Sequence, residues 1–191
     1  FDAVFPDGVA VGCEDLSLSF TSSEAVDTYL PCTGSAEDLV LTHGGENPTE
    51  NAIDPTCWNN ALVSHLLTAK LNVAFDNVLE DFSPSSIPFG DLLLSSGAFE
   101  GMSVDEVIQI SDEVLGNCNN DFTPSECRST LRSINRNFSP SENDRGYLIV
   151  PGCWTADCGQ TGMAIVTFTA EDECGNSSSS TATFTIQDTT L

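Results

Sequence analysis

The sequence predicts an α+β fold: an immunoglobulin-like antiparallel β-sandwich, disulfide-stabilised, with an inserted helical subdomain. Three observations point there. Both ends of the chain alternate apolar with small polar residues, the middle repeats apolar residues at helical spacing, and eight cysteines are spread over 191 residues. Alternation with a period of two marks half-buried strands, whereas a spacing of three and four marks a helix with one dry face.

Near the start, Val9-Ala10-Val11 precedes Leu16, Leu18 and Phe20, which alternate with Ser17 and Ser19. Leu39-Val40-Leu41 and Tyr147-Leu148-Ile149-Val150 are short strand candidates. At the other end, Val166, Phe168 and Ala170 alternate with Thr167 and Thr169, and Ala182, Phe184 and Ile186 alternate with Thr181, Thr183 and Thr185. Threonine toward water and apolar residues inward suit an antiparallel sheet with one wet face. The cluster Asp172-Glu173-Cys174-Gly175-Asn176 between the last two strands is turn-forming. About seven short strands suit a sandwich.

The middle of the chain reads as helix. Thr123-Pro124-Ser125-Glu126 is a capping box with proline at the first helical position, and it opens an apolar side of Cys127, Leu131, Ile134 and Phe138. A second capping box, Ser103-Val104-Asp105-Glu106, precedes Val107, Ile108, Val114 and Leu115, with Gly116 as the stop. A third helix is expected from about Asn59 to Phe75, apolar over much of its circumference and so a buried core helix. The segments 1–50 and 145–191 are expected to form the sandwich, and 51–144 an inserted helical subdomain of about three helices. Insertions at loop tips are tolerated because their ends can lie close together.

Charge narrows the list of partners. Twenty-nine acidic side chains against five basic ones give a formal net charge of −24. Such a surface repels nucleic-acid phosphates and anionic membranes, and it suits a salty medium where charges are screened over roughly 10 Å or less. No apolar run approaches the roughly 18 residues of a membrane span. The chain opens at Phe1 with neither an initiator methionine nor a signal-like core, so a segment of a longer polypeptide is expected.

The cysteines are Cys13, Cys32, Cys57, Cys118, Cys127, Cys153, Cys158 and Cys174. None forms a C-x-x-C pair and only two histidines are present, which disfavours structural zinc. Dispersed through an acidic chain, the eight read as disulfide candidates and place the protein outside the cytoplasm, secreted or at the cell surface. Spacing alone leaves their connectivity open.

The stretch from Val166-Thr167-Phe168-Thr169-Ala170-Glu171-Asp172-Glu173-Cys174-Gly175-Asn176-Ser177 to Phe184-Thr185-Ile186-Gln187-Asp188-Thr189-Thr190 resembles the HYR-like, immunoglobulin-type repeat of giant surface proteins of Bacteroidota. Phe5-Pro6-Asp7-Gly8-Val9-Ala10-Val11-Gly12-Cys13 resembles the opening of the next such module. The resemblance covers about 70 residues at the two ends. Leu62-Val63-Ser64-His65-Leu66-Leu67-Thr68-Ala69-Lys70-Leu71-Asn72-Val73-Ala74 is similar to a helix found in insertions of bacterial secreted proteins, with no activity to transfer. The resemblance implies a role in adhesion, appendages or gliding, with export by the type IX route. It also favours Cys57, Cys118 and Cys127 among the helices and the other five cysteines nearer the sandwich. Those odd numbers require a bond across the boundary or two free thiols.

Candidate chemistry is sparse. His65, mid-helix among leucines, could ligate a metal or act as a base, or simply be a structural histidine. His43, beside Gly44-Gly45, reads as an exposed loop residue. Neither lies in a hydrolase or metalloprotease signature, so no catalytic set and no enzyme are expected. Arg128, Arg132 and Arg136 recur every four residues and form the only basic stripe. It could bind an anionic glycan or a carboxylate-rich neighbour, or pair with Asp105, Asp112 or other acids of the adjoining helix. Trp58, Trp154 and Tyr147 could stack on a sugar, although Trp58 and Trp154 adjoin cysteines and could instead pack on disulfides. Asn117-Cys118-Asn119-Asn120-Asp121 reads as a calcium-binding turn or as a polar loop tied by a disulfide. Asn176-Ser177-Ser178 fits a glycosylation sequon, idle in a bacterial protein. No cofactor is expected beyond possible calcium at module ends, with Asp7, Asp172 and Asp188 as candidate ligands and Asp15, Glu171 and Glu173 nearby.

The expected function is that of a structural repeat module of a large extracellular surface protein or filament, serving adhesion or appendage assembly. The alternative is a ligand-binding adhesin module whose helical insert recognises a glycan or a partner protein. Expected partners are neighbouring modules of the same polypeptide, other copies, or a cell-surface ligand, without nucleic acid or membrane insertion.

Overall fold

A computed structural model describes residues 1–13, 16–40, 52–57, 59–79, 82, 87–119, 121–137, 145–151, 162–171 and 177–186. For 162–171, 177–178 and 184–186 the description is of backbone alone. The chain divides into two compact units, Phe1–Pro151 and Gly152–Leu191.

The first unit opens with the expected hairpin. Strands β1 (Val9–Cys13) and β2 (Leu16–Phe20) pair antiparallel, with Val9 opposite Phe20 and Val11 opposite Leu18. This register puts all four apolar side chains on one face, where all are buried. Helix α1 (Ser23–Tyr29), capped by the Ser22 hydroxyl, then brings Tyr29 edge-on to Phe20 at 5.1 Å between ring centroids. Nothing in the alternation of the sequence had announced this short helix. Strand β3 (Ala52–Ile53) adds to β2 in parallel. Leu39 is buried but lies in a turn, not in the strand expected over Leu39-Val40-Leu41, and Leu41 is outside the described residues.

The three expected helices follow. Helix α2 (Ala61–Val78) starts at Asn60, whose side-chain oxygen accepts from the Leu62 N–H. It buries Leu62, Val63, Leu66, Leu67 and Ala69 around its first turns, as a core helix must. Its one buried hydroxyl, Ser64 Oγ, accepts from the Cys32 N–H at 2.9 Å and donates to the Cys32 carbonyl at 2.7 Å. Strand β4 (Leu93–Leu94) precedes helices α3 (Val104–Leu115) and α4 (Pro124–Arg136). Both capping boxes form as read: Ser103 and Glu106 exchange backbone bonds at the start of α3, and Thr123 and Glu126 do so at the start of α4. Strand β5 (Leu148–Ile149) closes the unit by pairing antiparallel with β4.

In the second unit, β6 (Gly162–Glu171) and β7 (Ser177–Ile186) form one long antiparallel hairpin from the Gly162–Ile186 pair to the Glu171–Ser177 pair. Residues 172–176, expected to form a turn, and the side chains of Phe168 and Phe184 lie outside the description.

The immunoglobulin-like sandwich is therefore corrected. Among the described residues the strands make three small sheets of three, two and two strands, and there is no β-sandwich. The dry face of the β1–β2 hairpin is covered by α2 and α3, and Val11, Leu18, Phe20, Leu66, Val107, Leu115 and Leu131 belong to one core. The helices are thus not an insertion with a core of their own; they supply the layer assigned to a second sheet.

Covalent links follow the same geometry. Cys13–Cys118, 105 residues apart, fastens β1 to the turn after α3. Cys32–Cys57, 25 residues apart, fastens the loop after α1 to the approach of α2. Closing loops of these lengths contributes about 3–5 kcal/mol each in the chain-entropy picture. Cys127, one of the disulfide candidates, is a free thiol buried in the core beside Leu131 and Ile134, and burial pushes its pKa up. A buried neutral thiol behaves as a small hydrophobe. Cys153, Cys158 and Cys174 lie outside the described residues.

A polar clasp joins the β1–β2 hairpin to α2 and α3. Lys70 of α2 forms an ion pair with Asp112 of α3 and donates to the Ala10 carbonyl of β1 at 2.7 Å. The other Asp112 oxygen accepts from the Gly12 N–H at 2.9 Å. Burial raises the Asp112 pKa, opposed by Lys70 and the Gly12 N–H. The neutral form is thus less penalised than in an exposed pair. Asp112→Ala should cost about 2–4 kcal/mol by leaving the Lys70 charge without its carboxylate and the Gly12 N–H without an acceptor. Asp112→Asn keeps that acceptor and should cost less than half as much. Urea unfolding of the two variants checks this, and equal losses would contradict the clasp.

Candidate functional site

Two features of α4 adjoin each other. The spacing of four places Arg128, Arg132 and Arg136 along one stripe of the helix. Cys127, Leu131 and Ile134 occupy the buried side. Between stripe and core, Asn135 reaches across to α2 and donates to the His65 carbonyl at 2.9 Å. That bond registers α4 against α2 and sets the arginines around His65.

The resulting surface is electrostatically one-sided. The His65 pKa is lowered, first by burial and then by Arg128, Arg132 and Arg136. Arg132 and Arg136 are exposed and Arg128 is half-buried. Arg128 Nε and Asn135 Oδ1 are buried atoms without a hydrogen-bond partner. The expected pairing of the stripe with Asp105 or Asp112 is not made. Asp112 is taken by Lys70. Asp105 stands against Gly90 and near Asp91, with its pKa raised by burial and then by that like charge. Among the described residues, no carboxylate lies within ion-pair distance of the three arginines. The arrangement can hold an anion, while burial and then the three guanidiniums reduce the proton affinity of His65.

On the other flank of the stripe a groove of about 320 Å³ opens between α4 and the segment that links β4 to α3. Ser129, Thr130 and Ser133 of α4 line it with Tyr147, whose side chain was one of the expected aromatic platforms and is 41% exposed. No signal in the sequence brought Tyr147 to these hydroxyls; the pairing of β4 with β5 does so.

The other candidates separate. Asp7 is exposed on the turn before β1, while Asp15, Asp172, Glu173 and Asp188, and the Glu171 side chain, lie outside the description. Among the described residues, no group of three or more His, Cys, Asp or Glu side chains could hold a metal ion. The 117–121 loop is a polar turn tied by Cys118: Asn119 donates to Glu113 Oε2 and accepts from the Asp121 N–H, while Asn120 is not described. His43, Trp58, Trp154 and Asn176 fall outside the described residues. No described helix is long and apolar enough to cross a membrane.

The His65 environment sets a pH dependence. With its folded pKa below the usual histidine value near 6.5, the group favours folding fully above that value. This contribution is lost as pH falls from about 6.5 toward the depressed folded value, because the unfolded chain takes up the proton first. His65→Gln should flatten the loss of stability between pH 7 and 5, measured by urea midpoints. An unchanged slope would mean that His65 titrates normally.

No known protein family, curated protein or solved structure matches this chain.

Proposed function

We propose that this chain is a non-enzymatic module of a larger secreted or cell-surface protein, and that its helical layer captures an anionic ligand. The observation that carries this reading is the arginine stripe of α4. Four of the five basic residues are arginines, the net charge is −24, and three of the four sit together around His65 with no carboxylate among the described residues in ion-pair reach. Arginine presents a planar fork of donors suited to carboxylate, sulfate or phosphate oxygens. The two disulfides support a site of action outside the cytoplasm.

A structural-repeat role in adhesion or appendage assembly is the second reading. It is favoured by the separate C-terminal unit, Gly152–Leu191, whose hairpin carries the repeat-like sequence. In that role the anionic ligand of the stripe would be the acidic surface of a neighbouring module or a second copy.

Thermophoresis of the whole chain with a heparin-derived hexasaccharide and with polyglutamate, at 50 and 500 mM NaCl, tests the anion reading. Both probes should bind at low salt and weaken at high salt. Arg132→Gln with Arg136→Gln, both exposed positions, should lose at least tenfold in affinity. No binding at 50 mM NaCl, or equal affinity in the double variant, would overturn the reading.

A further inference from the structure

The groove beside the stripe has chemistry of its own. Its walls alternate hydroxyls with a carboxylate and an aromatic ring over an apolar floor. Ser133 donates its hydroxyl to the Ser129 carbonyl at 3.2 Å, which leaves the Ser133 oxygen free to accept. Ser96, Ser129 and Thr130 line the same space. Glu126 Oε2 accepts from the Thr123 N–H and hydroxyl at 2.8 and 2.7 Å. The carboxylate is therefore fixed by the capping box, and Glu126 lines the groove. Those same bonds lower its pKa, so it is an ionised acceptor at neutral pH.

Tyr147 is held by its backbone at the rim. Its N–H donates to Asn137 Oδ1 and its carbonyl accepts from the Ser95 N–H, both at 3.0 Å. Leu94 and Ile134 contribute apolar surface beneath. A volume of about 320 Å³ stands at the small end of ligand pockets, which run from roughly 300 to 1,000 Å³. A sugar ring presents a C–H face and an edge of hydroxyls that both donate and accept. An exposed tyrosine ring suits the first, and serine and threonine hydroxyls with one fixed carboxylate suit the second.

The helix joins this groove to the cations. Ser129 and Arg132 are three residues apart, as are Ser133 and Arg136, so each pair is adjacent on the surface of α4. The stripe thus runs along the hydroxyl wall. We propose that the groove seats a ring of an acidic saccharide against Tyr147, with a carboxylate or sulfate of that saccharide held by Arg132 and Arg136. The proposal rests on the anion reading above and adds the ligand class.

The test uses the whole chain and three probes of matched charge: a trigalacturonate, a sulfated trisaccharide and a glutamate peptide. Calorimetric titration should show at least one saccharide binding tenfold or more tighter than the peptide, and the tighter of the two identifies the acid group. Tyr147→Ala, and separately Ser129→Phe to fill the groove, should bring saccharide affinity down to that of the peptide. A wild-type chain that binds all three probes equally overturns the saccharide groove and leaves the anion reading standing. So does a saccharide preference that survives both variants. If no probe binds, both proposals fall.

Discussion

The Lys70 ammonium is the contact on which the first unit turns. It is the only lysine in the chain, and it stands where a hairpin and two helices meet. Without it, the Ala10 carbonyl and the Asp112 carboxylate would face each other across the β1–α3 contact as two acceptors. With it, Asp112 can also take the Gly12 N–H, which the antiparallel ladder leaves pointing at α3. The Cys13–Cys118 bond lies one residue beyond Gly12 and locks the same junction covalently. Gly116 permits that approach, since a side chain there would run into Cys13. Ion pair, backbone bond and disulfide thus converge within a few residues, and α3 can sit on the hairpin where a second sheet was expected.

That junction also explains which parts of the fold were legible. The capping boxes at Ser103 and Thr123 depend on residues three apart, so local sequence is sufficient to read them. The burial of Val9, Val11, Leu18 and Phe20 is likewise local, because alternation fixes which side is dry. What covers the dry side is not local. A strand facing a helix and a strand facing a sheet carry the same alternation, and the deciding contact joins Lys70 and Asp112 to residues near position 12. Helix α1 escaped because seven residues offer barely two turns of periodicity. The parallel pairing of β3 escaped because it involves only two residues.

The candidate site was half legible for the same reason. The four-residue spacing of the arginines is visible along the chain, but their lack of acidic partners among the described residues is a property of the packing. Asp112 was an available partner by position on α3; it is removed by Lys70, 42 residues earlier in the chain. The groove was not legible at all, since Tyr147 and Ser129 meet only through the pairing of β4 with β5 and its placement against α4.

The local energetics of α4 favour a role for the stripe beyond helix stability. Like charges at i and i+4 each destabilise a helix by about 0.2–0.5 kcal/mol, and Arg128, Arg132 and Arg136 make two such pairs. The helix dipole returns some of this at Arg136, in the last turn. A glutamate three or four residues away would have turned the remainder into a gain, and the chain has 29 acidic residues to draw on. Instead the neighbouring helical positions are Ser125, Ser129, Ser133 and Asn135. These residues are neutral hydrogen-bonding groups that leave the guanidinium forks unneutralised, and Asn135 spends its amide on holding α2 in register. Among the described residues each arginine of the stripe is thus without an acidic partner, at a small local cost to the helix.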